Sequence, residues 1–282
     1  MESVNAKGWL EGTIILPDER VLAFTEYGDT SGIPIFVLHG TPGCRHLFEP
    51  DEPISRELGL RLISPDRPGM GRSSPKMQRG LEDWPDDMAK LADALGIEKF
   101  GVIGISGGGP YAAACAAKLA SRLTFVTIIM TSTPSVWHRA SKKMNHLNRV
   151  MFFLGRRAPG LLTLIFKAQA RRSAKFPNSP GSSFYCEVYR QGVKGCVQDT
   201  SITARPWSFD PGVISVPVSL WHGIHDPITP IEGSRYLANR IKHAALYEVE
   251  GGHDLHTRTD IWRRILADAR EKTLTHTSSY ME

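Results

Sequence analysis

The chain has 282 residues and a mass of 31.2 kDa, with 34 Lys and Arg against 29 Asp and Glu. This size allows one large domain or two small ones, and a hydrophobic content of 41% excludes a disordered chain. The longest apolar runs are well short of the roughly 20 residues that a membrane-spanning helix needs, which excludes an integral membrane protein.

Short apolar and β-branched runs between Gly, Pro and Asp predict eight strands. Four stretches with apolar residues at three- and four-residue spacing predict amphipathic helices. The turn Pro17–Arg20 predicts an antiparallel hairpin at the start, after which strands and helices alternate. This order indicates an α/β fold with a mostly parallel sheet covered by helices on both faces. The predicted strands are Gly12–Leu16, Val21–Tyr27, Ile35–Leu38, Leu60–Ser64, Phe100–Ile105, Leu123–Thr131, Val216–Trp221 and Ala245–Val249, and the helices are Glu82–Leu95, Gly109–Ser121, Ile231–Ile241 and Arg258–Glu271.

A helical and loop-like segment of about eighty residues interrupts this alternation. It divides the chain into a core, residues 1–133 and 213–282, and an inserted lid, residues 134–212. The lid holds thirteen Lys and Arg against three acids, a net charge of +10, whereas the rest of the chain carries −5. Two interpretations of this positive charge stay open. The cations lie on solvated outer faces of the lid, or the lid attracts an anionic substrate or an acidic surface. Nucleic acid is not an expected partner, because no binding module or aromatic platform accompanies the basic residues.

The strongest chemical motif is Gly104-Ile105-Ser106-Gly107-Gly108, between a predicted strand and a predicted helix. A serine on such a sharp turn holds its hydroxyl above the sheet, and small residues two positions away on each side let strand and helix approach. Gly104 and Gly108 occupy those positions. The pattern predicts Ser106 as a nucleophile, with a structural Gly-rich turn as the alternative.

A serine nucleophile needs a base, and the base needs an acid that holds its tautomer. The predicted strand Val216–Trp221 is followed by a loop that offers Asp226 as the acid. The loop after Leu123–Thr131 holds no carboxylate. Asp226 is therefore the predicted acid, and a turn residue before Pro227 is its alternative role.

The base is predicted on the Gly-rich loop after the last strand. His253 follows Gly251 and Gly252, which leave the loop free to carry an imidazole over the sheet. His256 is the alternative base, and His222 and His225 are expected to be packing or turn residues.

An oxyanion hole needs two donors, of which one is the amide after the nucleophile, here Gly107. The second is predicted from the turn His39-Gly40-Thr41-Pro42-Gly43, which is placed to direct the Thr41 amide at the serine. Cys44 stands beside this turn without a base of its own in the sequence.

Together these segments resemble the α/β-hydrolase superfamily, and within it the lidded branch of proline-iminopeptidase-like and carbon–carbon-bond hydrolases. The resemblance covers nearly the whole chain outside the insert and implies the α/β-hydrolase fold with an inserted helical lid. It also implies a scaffold role for the loop Asp66–Ser73. Beyond the serine turn it rests on His39–Gly43, Pro65–Ser73, Trp221-His222-Gly223 with Asp226, and Gly252-His253.

Two departures narrow what the resemblance implies. Haloalkane dehalogenases and related epoxide hydrolases carry an aspartate where this chain has Ser106. Proline iminopeptidases carry a turn closer to Gly-Gly-Ser-Trp-Gly and acids in the lid, so the basic lid disfavours an aminopeptidase.

The sequence therefore predicts a serine hydrolase, with a Ser106–His253–Asp226 triad, that acts on an ester, thioester or activated carbon–carbon bond of a small organic substrate. A triad-dependent lyase, isomerase or cyclase and a non-catalytic small-molecule receptor stay open as alternatives. No metal or organic cofactor is implied, the substrate is expected to be anionic if the lid attracts it, and the expected location is the cytoplasm because no secretory signal is seen. The oligomeric state is left open.

Substrate contacts are expected from the oxyanion turn and from lid aromatics, and several lining aromatics would favour a bulky aromatic or polyketide-like substrate of secondary metabolism. The candidates are His39, Trp137 and Trp207, with further lid aromatics Phe152, Phe153, Phe166, Phe184, Tyr185 and Tyr189.

Overall fold

The computed structural model describes residues 3–4, 9–131, 133 and 140–278. Nine strands in this part of the chain form one sheet in the order β1-β2-β3-β5-β4-β6-β7-β8-β9. The strands are β1 (Ser3–Val4), β2 (Leu10–Ile15), β3 (Val21–Gly28), β4 (Ile33–Leu38), β5 (Leu60–Pro65), β6 (Phe100–Ile105), β7 (Leu123–Ile129), β8 (Val218–Gly223) and β9 (Ala244–Val249).

The sheet is parallel from β5 to β9 and antiparallel at its β1–β3 edge. The predicted hairpin joins β2 to β3, with Ile15 opposite Val21. The mostly parallel sheet predicted from the alternation of strands and helices is confirmed.

Several strand ends differ from the prediction by one or two residues, and two of these differences have a local reason. β7 stops at Ile129 because Met130 adopts a φ of +48°, which is incompatible with an extended strand. β8 begins at Val218, after Pro217, because a proline has no amide donor for the ladder.

Nine α-helices lie in the described residues, five of them in the core and four in the inserted segment. They are α1 (Glu52–Glu57), α2 (Trp84–Ala94), α3 (Gly109–Lys118), α4 (His146–Arg157), α5 (Pro159–Lys175), α6 (Ser182–Val188), α7 (Lys194–Thr203), α8 (Glu232–Arg240) and α9 (Thr259–Ser278). Within the described residues, none of them combines the length and apolar character needed to cross a bilayer.

Two hydrophobic clusters cover the two faces of the sheet. Side chains alternate along each strand, so β4 places Phe36 in one cluster and Val37 in the other. The first cluster takes residues of α2, α3 and α8, and the second is closed by α9 through Trp262. Helices therefore pack on both faces and leave the carboxyl ends of the central strands for the loops that carry the site.

The helices α4 to α7 come between β7 and β8 along the chain and form a hydrophobic cluster of their own. Phe166 and Tyr189 pack there with two residues of core loops, Cys44 and Met70. The inserted segment thus folds around an apolar centre and rests on loops at the carboxyl ends of the strands.

Candidate active site

Ser106 lies on the turn between β6 and α3 with a φ of +53°, a left-handed conformation that costs a non-glycine residue about 1–3 kcal/mol. A Cβ on Gly104 would lie 2.5 Å from the carbonyl oxygen of Gly108. A Cβ on Gly108 would lie closer still to the carbonyl oxygen of Leu38. The two glycines are thus required for strand and helix to meet at this turn, the reason that the sequence indicated.

The three predicted triad side chains form one chain of hydrogen bonds. The Ser106 hydroxyl lies 2.9 Å from His253 Nε2, and His253 Nδ1 lies 2.6 Å from Asp226 Oδ2. A neutral imidazole that donates its Nδ1–H to Asp226 leaves Nε2 as the acceptor for the serine proton. His253, and not the alternative His256, joins the serine to the carboxylate.

The loop after β8 holds the Asp226 carboxylate in place. Its Oδ1 accepts the amide N–H groups of Ile228 and Thr229 at 2.8 and 3.0 Å. Burial raises the pKa of Asp226, but hydrogen bonds from His222 and His253 outweigh burial and hold the pKa well below its usual range. Asp226 is therefore an anion at neutral pH.

Two further histidines lie near Asp226, His222 in β8 and His225 in the loop after it. His222 is fully buried and hydrogen bonds to Ser234 Oγ (2.7 Å) and to the Thr229 carbonyl (2.5 Å). His225 is exposed and pairs with Glu250 at 3.0 Å. His225 thus has a local contact, whereas His222 Nε2 also lies 3.4 Å from Asp226 Oδ2.

The predicted oxyanion donors lie side by side. A Cβ on Gly107 would lie 3.0 Å from the amide nitrogen of Thr41 and closer still to the Thr41 side chain. Within the described residues, no hydrogen bond joins the Thr41 N–H to a protein acceptor. The absence of a side chain at Gly107 thus lets two amides approach each other beside Ser106, where an oxyanion would form.

Two cavities adjoin Ser106 in the described part of the chain, with volumes of about 110 and 620 Å³. The described residues that line them include no Lys, Arg, Asp or Glu. Apolar and aromatic side chains dominate the walls, and Asn148 and Gln169 are the amides among them. Both cavities share Thr41, Pro42, Ser106, Asn148, Met151, Phe166 and Ile228.

Residues 33–257 match the family model described as the alpha/beta hydrolase fold. The chain belongs to this family. It is 22% identical over 258 residues to a bifunctional esterase/perhydrolase of Acinetobacter calcoaceticus, over 85% of this chain and 91% of that protein. It is 32% identical over 114 residues to a proline iminopeptidase of Xylella fastidiosa, over 37% of this chain and 34% of that protein.

The fold is also that of solved members of the family. A thermophilic esterase from Thermogutta terrifontis superposes with a TM-score of 0.67 at 24% identity, over 93% of this chain and 98% of that one. The chain is thus an α/β-hydrolase, an enzyme with esterases and other hydrolases among its relatives.

Two of the three candidate substrate contacts of this α/β-hydrolase line neither of the two cavities at Ser106. His39 is fully buried, donates its Nδ1–H to the Gly40 carbonyl at 2.8 Å and accepts the Arg67 amide at Nε2 at 3.2 Å. Trp207 stacks on Phe209 against the first hydrophobic cluster and lines neither cavity. The third candidate, Trp137, lies outside the described residues.

The lid aromatics divide between the cavities and other surroundings. Phe152, Phe166, Phe184 and Tyr185 line a cavity at Ser106. Tyr189 packs in the cluster of the insert, and Phe153 is exposed to solvent. Aromatic side chains therefore line the cavities at Ser106, and they are four of the eight aromatic residues of the insert that the sequence suggested as substrate contacts.

His256 lines the larger cavity beside His253. Burial and the neighbouring His253 lower the pKa of His256 to about 4, so the ring is neutral at neutral pH. Its Nδ1 is buried and has no hydrogen-bond partner among the described residues.

A buried ionic cluster, which the sequence did not reveal, contacts the turn His39–Gly43, from which the Thr41 amide is the predicted oxyanion donor. Asp199 of α7 accepts the Thr41 hydroxyl, both Nε (3.1 Å) and Nη2 (2.8 Å) of Arg67, and Nη2 of Arg79 (2.9 Å). The hydroxyl of Tyr111 donates to the same carboxylate at 2.6 Å. Asp199, Arg67, Arg79 and Tyr111 are nearly or fully buried, whereas Thr41 is half-buried.

The cluster carries one carboxylate and two guanidinium groups, a net charge of +1. Burial raises the pKa of Asp199, but the two arginines outweigh burial and hold that pKa far below its usual range, so the carboxylate stays charged. Arg67 also donates to the carbonyls of His39 and Gly40 at 2.5 and 2.9 Å. The inserted segment is thus tied to the turn that carries Thr41.

Proposed function

We propose that the protein is a serine hydrolase that cleaves esters of small, uncharged organic substrates with Ser106, His253 and Asp226 as its catalytic triad. The observation that carries the proposal is the hydrogen-bonded chain Asp226–His253–Ser106 at the wall of an apolar cavity. A serine, a base in reach of it and an acid that orients the base are what nucleophilic acyl transfer requires.

In the proposed reaction the Ser106 oxygen attacks the ester carbonyl while His253 Nε2 takes the hydroxyl proton. The carbonyl oxygen becomes an oxyanion, which accepts hydrogen bonds from the Thr41 and Gly107 amides. His253 then gives its proton to the leaving alcohol, and an acyl-serine remains. Water attacks this acyl group by the same route, with His253 first as base and then as acid, and releases the carboxylic acid.

The inserted segment, for which the boundaries 134–212 are proposed, is the lid of the site. Its side chains Asn148, Met151 and Phe166 line both cavities opposite the core residue Thr41. A substrate bound there exchanges water for apolar walls, and the described residues that line the cavities include no Lys, Arg, Asp or Glu to pair with it. An uncharged acyl group therefore fits the site better than the anionic substrate that the basic lid had suggested.

The test is labelling by a fluorophosphonate, followed by intact-protein mass. The parent protein and the control Ser31→Ala, which removes an exposed serine hydrogen bonded to Asp29, are expected to gain one adduct. Ser106→Ala is expected to gain none and to lose at least about 10⁴-fold in kcat on a p-nitrophenyl ester. A parent that stays unlabelled while folded, or a labelled Ser106→Ala, contradicts the proposal.

The charge preference has its own comparison. Hydrolysis of p-nitrophenyl butyrate is expected to exceed that of p-nitrophenyl hemisuccinate at least 10-fold in kcat/KM, because the carboxylate of the second substrate would be buried without a partner. Equal rates would place a cation in the site and contradict the uncharged substrate class.

A further inference from the structure

The helices α4 and α5 carry an unusual surface. Residues 146–175 contain seven Lys and Arg and no Asp or Glu, and all seven cations are exposed. In the described part of the chain none of the seven pairs with a carboxylate, whereas other cations of the insert do, as in Lys143–Glu232. We call the exposed side chains of residues 146–175 the α4–α5 face.

The same face exposes large apolar side chains, five in all. Their exposure ranges from 38% at Ile165 to 67% at Leu147, and Leu164 reaches 66%. On α5 the buried side points inward through Leu162 and Phe166, whereas Leu161, Leu164 and Ile165 share the outer side with four of the cations. Apolar side chains of this size next to unpaired cations indicate a surface that meets a partner.

The face borders the entrance to the site. Leu147 and Ile165 are exposed and also line the 620 Å³ cavity that reaches Ser106 and His253. A partner on the α4–α5 face would therefore lie next to the opening through which an apolar substrate enters.

From these observations we propose that the α4–α5 face docks the protein on an anionic phospholipid bilayer surface. An amphipathic helix with Lys and Arg beside Leu and Phe lies in the bilayer interface, where the cations meet phosphate groups and the apolar side chains enter the acyl boundary. The docking is a property of the surface and does not depend on the proposed catalysis.

The charge on the face argues against two other occupants. In a symmetric dimer the face would meet its own copy and bring seven cations against seven cations, which is repulsive. A nucleic acid needs a platform of several aromatic side chains or a module that follows its backbone, and of the five exposed apolar side chains of the face Phe153 alone is aromatic. An anionic bilayer offers phosphate groups to the cations and an apolar layer to the exposed leucines.

The test is co-sedimentation with vesicles of phosphatidylcholine alone or with 30% phosphatidylglycerol, at low and at about 0.5 M salt. The protein is expected to bind the anionic vesicles at low salt. It is expected not to bind the neutral vesicles at either salt concentration, nor the anionic vesicles at high salt. Arg171→Gln with Arg172→Gln is expected to weaken binding about 30-fold, since each cation near an anionic surface contributes about fivefold. Leu161→Asn with Leu164→Asn is expected to weaken it at least 10-fold.

Matched controls remove the same kinds of group elsewhere. Lys90→Gln with Lys242→Gln removes two exposed cations of the core, and Ile15→Asn removes an apolar side chain that is 68% exposed. Both controls are expected to bind like the parent. Ser106→Ala is also expected to bind like the parent, which separates docking from catalysis.

Three results would overturn the proposal. The first is no binding to anionic vesicles at low salt, and the second is equal binding to neutral and anionic vesicles. The third is binding that the α4–α5 variants and the controls change alike. A dimer in sedimentation velocity that dissociates on Leu161→Asn with Leu164→Asn, together with no vesicle binding, would assign the face to a second copy of the chain.

Discussion

Replacing Asp199 by asparagine removes one negative charge from the cluster behind the oxyanion turn and leaves the size of the side chain nearly unchanged. The carboxylate is the anion that Arg67 and Arg79 share, at 2.8 and 2.9 Å, and all three side chains are almost fully buried. In Asp199→Asn both guanidinium groups stay buried with no carboxylate among these contacts. Breaking a buried ion pair in this way costs about 3–5 kcal/mol, a large share of the 5–15 kcal/mol that stabilises a typical protein.

The loss is measured by thermal unfolding and by ester hydrolysis. At about 2–4 °C per kcal/mol, the melting temperature is expected to fall by about 6 to 20 °C. Thr41 also loses its charged acceptor, so its amide is less well aimed at the oxyanion. Below the melting range, kcat is therefore expected to fall about 10- to 1,000-fold with little change in KM, up to the cost of losing one oxyanion donor.

Three further variants separate the causes. Asp210→Asn removes an exposed acid of the insert that pairs with Arg240, and is expected to change neither the melting temperature nor kcat appreciably. Thr41→Ser keeps the hydroxyl that Asp199 accepts and is expected to retain most of kcat. Thr41→Val lacks this hydroxyl and is expected to lose kcat as Asp199→Asn does. A melting temperature within 2 °C of the parent would refute the buried-charge argument. A large fall in melting temperature with an unchanged kcat would refute the role in aiming Thr41.

Three further predictions concern the triad, the turn and the histidine at the cavity. Asp226→Asn is expected to lower kcat by about 10⁴, because the amide favours the wrong His253 tautomer, and unchanged labelling by a fluorophosphonate would contradict this. Gly104→Ala places a Cβ 2.5 Å from a facing carbonyl oxygen and is expected to lower the melting temperature and kcat, whereas the helical control Gly160→Ala, with nothing within 4 Å, is not. The pKa of His256 is about 4, against about 6.5 in the unfolded chain, so protonation favours unfolding and stability falls as the pH drops from 6.5 towards 4, by about 2 kcal/mol at pH 5. In His256→Asn the fall in melting temperature between pH 7 and pH 5 is expected to shrink, and an undiminished fall would assign it to other groups.

The fold and the central part of the site could be predicted because their signals are local. Each strand is a short apolar run, and the turn around Ser106 needs glycines at fixed distances from the serine along the chain. Asp226 and His253 follow directly after strands that lie side by side, β8 and β9, so their loops meet at one edge of the sheet. The position of Asp226 and His253 directly after neighbouring strands is therefore enough to predict that the two side chains lie close together.

Burial could not be predicted in the same way. His39 and Trp207 are residue types that often contact substrates, yet one is enclosed by Arg67 and its own backbone and the other by the hydrophobic cluster. Asp199 meets Tyr111, Arg79 and Arg67 from 88, 120 and 132 residues away. The one signal for this cluster was an acid inside a strongly basic segment, and no periodicity or motif tells which distant arginine it pairs with.

The charged residues of the insert fall into two groups that its net charge of +10 does not distinguish. Asp199 is the insert's buried anion, and it fastens α7 to the oxyanion turn through arginines of the core. The cations of α4 and α5 point outward instead, and the side-chain hydrogen bond of Gln169 on α5 stays within the insert, with Tyr189 at 2.7 Å. α5 packs inward through Leu162 and Phe166, and its outer side carries Ile165, which lines the cavity at Ser106 together with Leu147 of α4. Substrate would therefore enter at the face that we propose docks on the bilayer, while Asp199 holds the turn that carries Thr41.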